Sequence, residues 1–172
     1  MHRWYLTPGD VNFFMVIHYV PGGPPTVNPF ADLRPFGSIK KRILLVQGEN
    51  EHSALAGRLS ERGFIVTRAK TYVELQKMDV KRGEFDAVIL DVSLPMDADD
   101  RPANDRVSEA AVMANEQILP GLELPCISVS GGMIGNEEVK KLSAVAHVNH
   151  VHQNLEVLVG HLRKLTGGKQ TV

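Results

Sequence analysis

Phe85-Asp86-Ala87-Val88-Ile89-Leu90-Asp91-Val92-Ser93-Leu94-Pro95 is the stretch on which the fold turns. Its apolar run up to Leu90 has the pattern of a strand covered on both faces, as in a parallel sheet. The run ends in a carboxylate, Asp91, and a proline follows four residues later. Open α/β sheets gather their ligands and chemistry at the carboxyl ends of the strands. Asp91 is therefore the first candidate functional residue, as a nucleophile, a metal ligand or a helix cap.

Working outward, Arg42 to Val46 is an earlier apolar strand, and Ser53 to Arg62 carries Leu55, Ala56 and Leu59 on one helical face, closed by Gly63. Phe64 to Ala69 reads as a second strand and Tyr72 to Met78 as a short helix. After the Phe85 strand, a helix is expected over Ser108 to Ile118 with Ala111, Val112 and Ile118 inward. Pro125 to Ser130 is a fourth strand and Glu137 to Ala144 a fourth helix. His147 to His152 is a fifth strand, and Leu155 to Leu165 a closing amphipathic helix. Strands alternating with helices imply a parallel sheet with helices on both faces. The expected fold is a three-layer α/β, flavodoxin-like (βα)5 domain with strand order 2-1-3-4-5, whose crevice lies at the tips of strands 1 and 3.

The chain divides near Ser38. Residues 1–38 hold most of the prolines, including Pro21-Gly22-Gly23-Pro24-Pro25, and read as an irregular arm with one short strand candidate over Val11 to Val20. Residues 39–168 form the domain and 169–172 a tail. Apolar content is 43%, charged content 23% and net charge -1, which fits a globular protein and gives no electrostatic reason to expect nucleic acid or an anionic membrane. Val11 to Val20 is too short to span a bilayer and makes a poor signal peptide, so a cytoplasmic location is expected. The single cysteine, Cys126, excludes a disulfide framework and reads as a core residue.

From about Lys41 to Leu165 the chain resembles the receiver domains of two-component response regulators. The resemblance rests on Arg42-Ile43-Leu44-Leu45-Val46, on Phe85 to Pro95 and on Pro125-Cys126-Ile127-Ser128-Val129-Ser130. It implies a phosphoacceptor at Asp91, a phosphoryl-contacting hydroxyl at Ser130, and transfer from a histidine kinase assisted by Mg²⁺. It also shows what this chain lacks. Where the family carries an acidic pair after the first strand, Gln47-Gly48 stands, with Glu49 one position on. Where the family has Lys-Pro after the fifth strand, the alignment gives His152, within a residue or two. The aromatic switch residue is replaced by Asn149 or a histidine.

Mg²⁺ wants hard oxygen ligands, usually one or two carboxylates with water and phosphate. Losing it removes several kcal/mol of transition-state stabilisation from phosphoryl transfer. The expectation is a degenerate receiver: a signalling module, not an enzyme, that needs no cofactor or metal and works by contact with a histidine kinase or another signalling protein. A surface made by the fourth helix, fifth strand and fifth helix is the contact face the resemblance implies, and it leaves a homodimer open.

Two alternatives stand beside it. One is a working phosphoacceptor at Asp91, with Mg²⁺ held by Asp91 and Glu49 or by the charged insertion Met96 to Arg106, which carries Asp97, Asp99 and Asp100. The other is a flavodoxin-like small-molecule-binding domain, for which Gly131-Gly132-Met133-Ile134-Gly135 is the nearest phosphate-loop candidate, off the known spacings. His147, His150 and His152 form a cluster in which His150 and His152 would share a strand face at metal-binding spacing. The plainer expectation for it is a polar edge strand.

Overall fold

The computed structural model describes residues 40–48, 54–101 and 105–167. The Val11 to Val20 strand candidate and Glu49 lie outside them. The elements, in chain order, are β1 (Arg42–Val46), α1 (Leu55–Glu61), β2 (Ile65–Ala69), α2 (Tyr72–Lys77), β3 (Ala87–Asp91) and α3 (Glu109–Met113). A π-helical turn (Ala114–Ile118) leads from α3 into α4 (Leu119–Leu122), followed by β4 (Cys126–Val129), α5 (Asn136–Val139), β5 (Ala146–Val148) and α6 (Leu155–Leu165). The five strands are parallel and ordered β2-β1-β3-β4-β5, as the sequence pattern predicts.

Strand alternation divides the core. Leu44, Val46, Val88 and Leu90 face one side of the sheet, where Tyr72 and Leu75 of α2, Ala110 and Ala111 of α3, and Leu119 and Leu122 of α4 cover them. Ile43, Leu45, Ala87 and Ile89 face the other, against Leu55 and Leu59 of α1 and Leu155, Leu158, Val159 and Leu162 of α6. Because both faces are covered, the strands read as unbroken apolar runs. No helix among the described residues is long and apolar enough to cross a membrane.

Three elements depart furthest from the expected bounds, the others by no more than two residues at either end. The third helix continues past Ile118 because Pro120 cannot donate its backbone N–H to the helical ladder; a wide turn absorbs the break and the helix restarts with Pro120 in its first turn. That turn buries Asn115, whose Oδ1 accepts from Ser143 N at 3.0 Å. The inward face is accordingly Ala110, Ala111 and Ala114, with Val112 and Ile118 only half-buried against it.

The fourth helix does not reach Ala144. It is α5, four residues long, and it ends in tight turns from Lys141 N to Glu138 O and from Leu142 N to Val139 O. The fifth strand does not reach His152. It stops at Val148, and His150 lies in the left-handed region with φ 48°. Gln153 N and Asn154 N both donate to His150 O there, closing a turn. A turn has no strand faces, so His150 and His152 do not share one.

Candidate functional site

Asp91 ends β3 at the carboxyl edge of the sheet, paired in register with Val129, so Ser130 lies one residue beyond its partner on the neighbouring strand. The topology thus brings the two expected positions to the same edge. Their side chains have separate partners. The Asp91 carboxylate accepts from Ser93 N at 2.9 Å and from the Gln47 side-chain amide. The Ser130 hydroxyl shares its one proton between Gly132 O at 2.6 Å and Asn149 Oδ1 at 2.9 Å.

Asp91 is only 3% exposed and Gln47 1%. Burial pushes the Asp91 carboxyl up to about 6, against the opposing effects of the Ser93 N–H, the Gln47 amide and the charge of Arg68. Gln47 contributes less than it could. Its Nε2 side is used, while its buried Oε1 has no hydrogen-bond partner among the described residues. The Gln47 amide thus favours the ionised carboxylate, whereas burial, the larger effect, favours the neutral one.

The roof of the site is the turn after β3. Leu94 N donates to Asp91 O at 3.2 Å, and Ser108 Oγ ties down Leu94 O at 2.7 Å. Tyr72 N and Val73 N, open donors at the start of α2, bond to Pro95 O and Met96 O at 3.0 and 3.1 Å. These bonds seat the Pro95 ring over Gly48. A Cβ added at Gly48 would lie 2.8 Å from Pro95 Cδ and 3.1 Å from its Cγ. The glycine at the acidic-pair position is thus a packing requirement of this loop.

A divalent ion is what the resemblance implies here, and the described residues do not fit one. Asp91 is the sole carboxylate placed at this point among the site residues described. Position 48 has no room for a side chain. The carbonyl oxygens of Gln47 and Gly48 both accept from Arg68, through Nε at 3.1 Å and Nη2 at 2.5 Å. Glu49, the other metal candidate, is outside the described residues. In the insertion, Asp97 Oδ1 accepts from Asp99 N and Asp100 N at 3.0 and 3.1 Å, and Asp100 Oδ2 accepts from Met96 N at 2.8 Å. Those carboxylates shape their own loop. No group of three or more His, Cys, Asp or Glu side chains among the described residues is placed to hold a metal.

At the end of β5 the residue beside Ser130 is Asn149, directly after Val148. His152 lies farther along the turn, where its carbonyl accepts from Arg58 Nη1 at 2.9 Å. Asn149 Oδ1 also accepts from Ile134 N at 2.8 Å and from His147 Nε2 at 3.0 Å, while His147 Nδ1 meets Ser128 Oγ at 2.9 Å. A carbonyl acceptor on Nε2 requires the proton there, leaving Nδ1 to accept from Ser128 in the neutral ring.

This network seals the loop after β4 in place of a cationic side chain. Asn149→Ala strands the buried Ile134 N–H and the His147 Nε2–H together. It is expected to lower stability by about 2 kcal/mol in urea unfolding, with Asn149→Asp losing less. Cys126 is buried and its thiol is pushed up to about 12, which makes it a core residue at neutral pH.

Two positions in this arrangement have weak sequence signals. Arg68 is a charge within an otherwise apolar strand run, and parallel pairing opposite Leu45 aims it at the tip of β1. Asn149 has no signal apart from following the strand.

No protein-family model matches the chain, and neither does any curated protein. Solved structures do match. The chain is similar to a two-component response regulator from Clostridium difficile, at 15% identity and TM-score 0.58, over 77% of this chain and 100% of that one. It is similar to the non-phosphorylated HemR receiver domain from Leptospira biflexa, at 24% identity and TM-score 0.55, over 74% and 94%. A third similar structure is the receiver domain of a sensor histidine kinase from Pseudomonas aeruginosa PAO1, with a magnesium ion coordinated in its active-site cleft, at 18% identity and TM-score 0.53, over 74% and 98%. The described residues carry the fold of response-regulator receiver domains.

Proposed function

We propose that the chain is a degenerate receiver: a cytoplasmic, two-component-type signalling module that acts by contact with a protein partner, without regulated phosphorylation of Asp91 and without a metal. It is a binding module, not an enzyme. The observation that carries this reading is the Pro95 ring seated where a side chain at position 48 would begin. Support also comes from the burial of Asp91, 3% exposed, which disfavours approach of a phosphodonor to the carboxylate. The similar Pseudomonas domain holds its magnesium in a cleft, whereas here an arginine takes the carbonyl oxygens at the tip of β1.

The partner on this reading is a histidine kinase or another signalling protein. The surface offered to it lies around α5, β5 and α6, where Val145 and Val157 are apolar yet exposed. A second copy of the chain is an alternative occupant.

Incubation with a small-molecule phosphodonor and Mg²⁺, followed by intact-mass measurement, tests the reading. The expected result is an unchanged mass. A phosphoryl adduct, with its added mass of about 80 Da, that disappears in Asp91→Asn would establish the phosphoacceptor alternative instead.

A further inference from the structure

We propose that Arg68 is the resident cation of this cleft, its guanidinium holding the backbone oxygens that a divalent ion would need. The inference rests on the metal-free reading above and gives it a cause. Missing carboxylates alone would leave a weak metal site; a fixed guanidinium leaves none.

The geometry follows from sheet register. Leu45 pairs with Arg68 and Val46 with Ala69, so Arg68 sits one residue short of the carboxyl end of β2, beside the end of β1. Its side chain turns across that end. Nε donates to Gln47 O at 3.1 Å and Nη2 to Gly48 O at 2.5 Å, a two-pronged grip that matches the planar fork of a guanidinium. The same charge acts on the Asp91 carboxylate. Gln47 Oε1, a further oxygen at this point, is neutral and buried.

The competing explanation is that Arg68 only ties β2 to β1. Both explanations make loss of Arg68 destabilising, so stability does not separate them. Access of a metal does, because a cation is expelled in only one of them.

The test uses the full-length, 15N-labelled chain and Mn²⁺ as a paramagnetic probe, with Mg²⁺ as competitor. In the wild type, millimolar Mn²⁺ is expected to leave the amide cross-peaks of Gln47, Gly48, Asp91 and Ser93 in place. In Arg68→Ala those cross-peaks should be lost on Mn²⁺ addition and restored by excess Mg²⁺. If Arg68→Ala does not fold, Arg68→Met keeps the aliphatic stem and is read the same way. Retention of the cross-peaks in a folded Arg68→Ala or Arg68→Met chain overturns the proposal, as does their loss in the wild type. The two readings fail separately: a phosphoryl adduct on wild-type Asp91 ends the degenerate reading, whereas the Mn²⁺ result alone decides the role of Arg68.

Discussion

Asp91→Asn is expected to be more stable than the wild type at pH 7.5, by about 3 kcal/mol. The carboxyl sits at about 6 in the folded chain against an ordinary 3.8, and burial is the largest cause. The folded state therefore binds a proton more tightly than the unfolded state does. The stability this proton confers is fully present below about pH 3.8. It is lost as pH rises through about 6 and stays lost above. The interval is worth about 3 kcal/mol at about 1.4 kcal/mol per pKa unit.

Asparagine keeps an oxygen for Ser93 N and carries no charge. The advantage of the variant should shrink to about 1 kcal/mol at pH 4.5, where most of the wild-type carboxyl is already neutral. Urea unfolding of both chains at the two pH values measures it. A variant less stable than wild type at pH 7.5, or a difference that ignores pH, would show that Arg68 and the Ser93 N–H outweigh burial and keep Asp91 comfortably ionised.

The pH dependence carries a functional meaning. A phosphoacceptor must be ionised and exposed to attack phosphorus. A carboxyl at about 6 is largely ionised at neutral pH, but Asp91 at 3% exposure is not open to a donor. Asp91 instead shapes the turn after β3: its Oδ1 holds Ser93 N and its carbonyl accepts from Leu94 N. The aspartate thus has a structural task of its own, apart from any chemistry.

The sheet was legible because burial on both faces writes each strand as an apolar run, and the order followed from short right-handed crossovers. β1 and α6 fall where the sequence places them, and β3 within two residues of its expected bounds. Legibility ended where backbone bonds outran periodicity. Helical spacing over Glu137 to Ala144 is not enough when Asn115 reaches across from another helix to cap Ser143 N, and spacing cannot show that His150 takes a left-handed turn.

The site was legible by position but not by contact. Asp91, Ser130 and the absent acidic pair follow from spacing along strands. That Pro95 lies on Gly48, that Arg68 grips the β1 carbonyls, and that Asn149 closes on Ser130 are contacts between segments distant in sequence. No local pattern encodes them.

The contact between Pro95 and Gly48 makes the loss of the acidic pair hard to reverse. Gly48→Asp, which restores one acid, is expected to cost about 3 kcal/mol of stability. Its Cβ would stand 2.8 Å from Pro95 Cδ and 3.1 Å from Cγ. Pro95 has little freedom to retreat, because Pro95 O and Met96 O cap the start of α2. Overpacking of this kind costs about 1–3 kcal/mol. A second carboxylate beside buried Asp91 adds like-charge repulsion and desolvation, which push Asp91 further toward its neutral form.

The two contributions can be separated. Pro95→Ala removes Cδ and Cγ, the two atoms in the way, and keeps the carbonyl that Tyr72 N needs. In the Gly48→Asp background it should therefore recover about half of the loss. Asp91→Asn in the same background should recover most of the remainder, with a gain that grows as pH rises above about 3.8 and is full only above about pH 6. Urea unfolding of the single, double and triple variants reads each step. If Gly48→Asp alone lies within about 0.5 kcal/mol of wild type, the turn after β3 is free to move off the site, and the closed roof on which the degenerate reading stands is not a fixed feature of the fold.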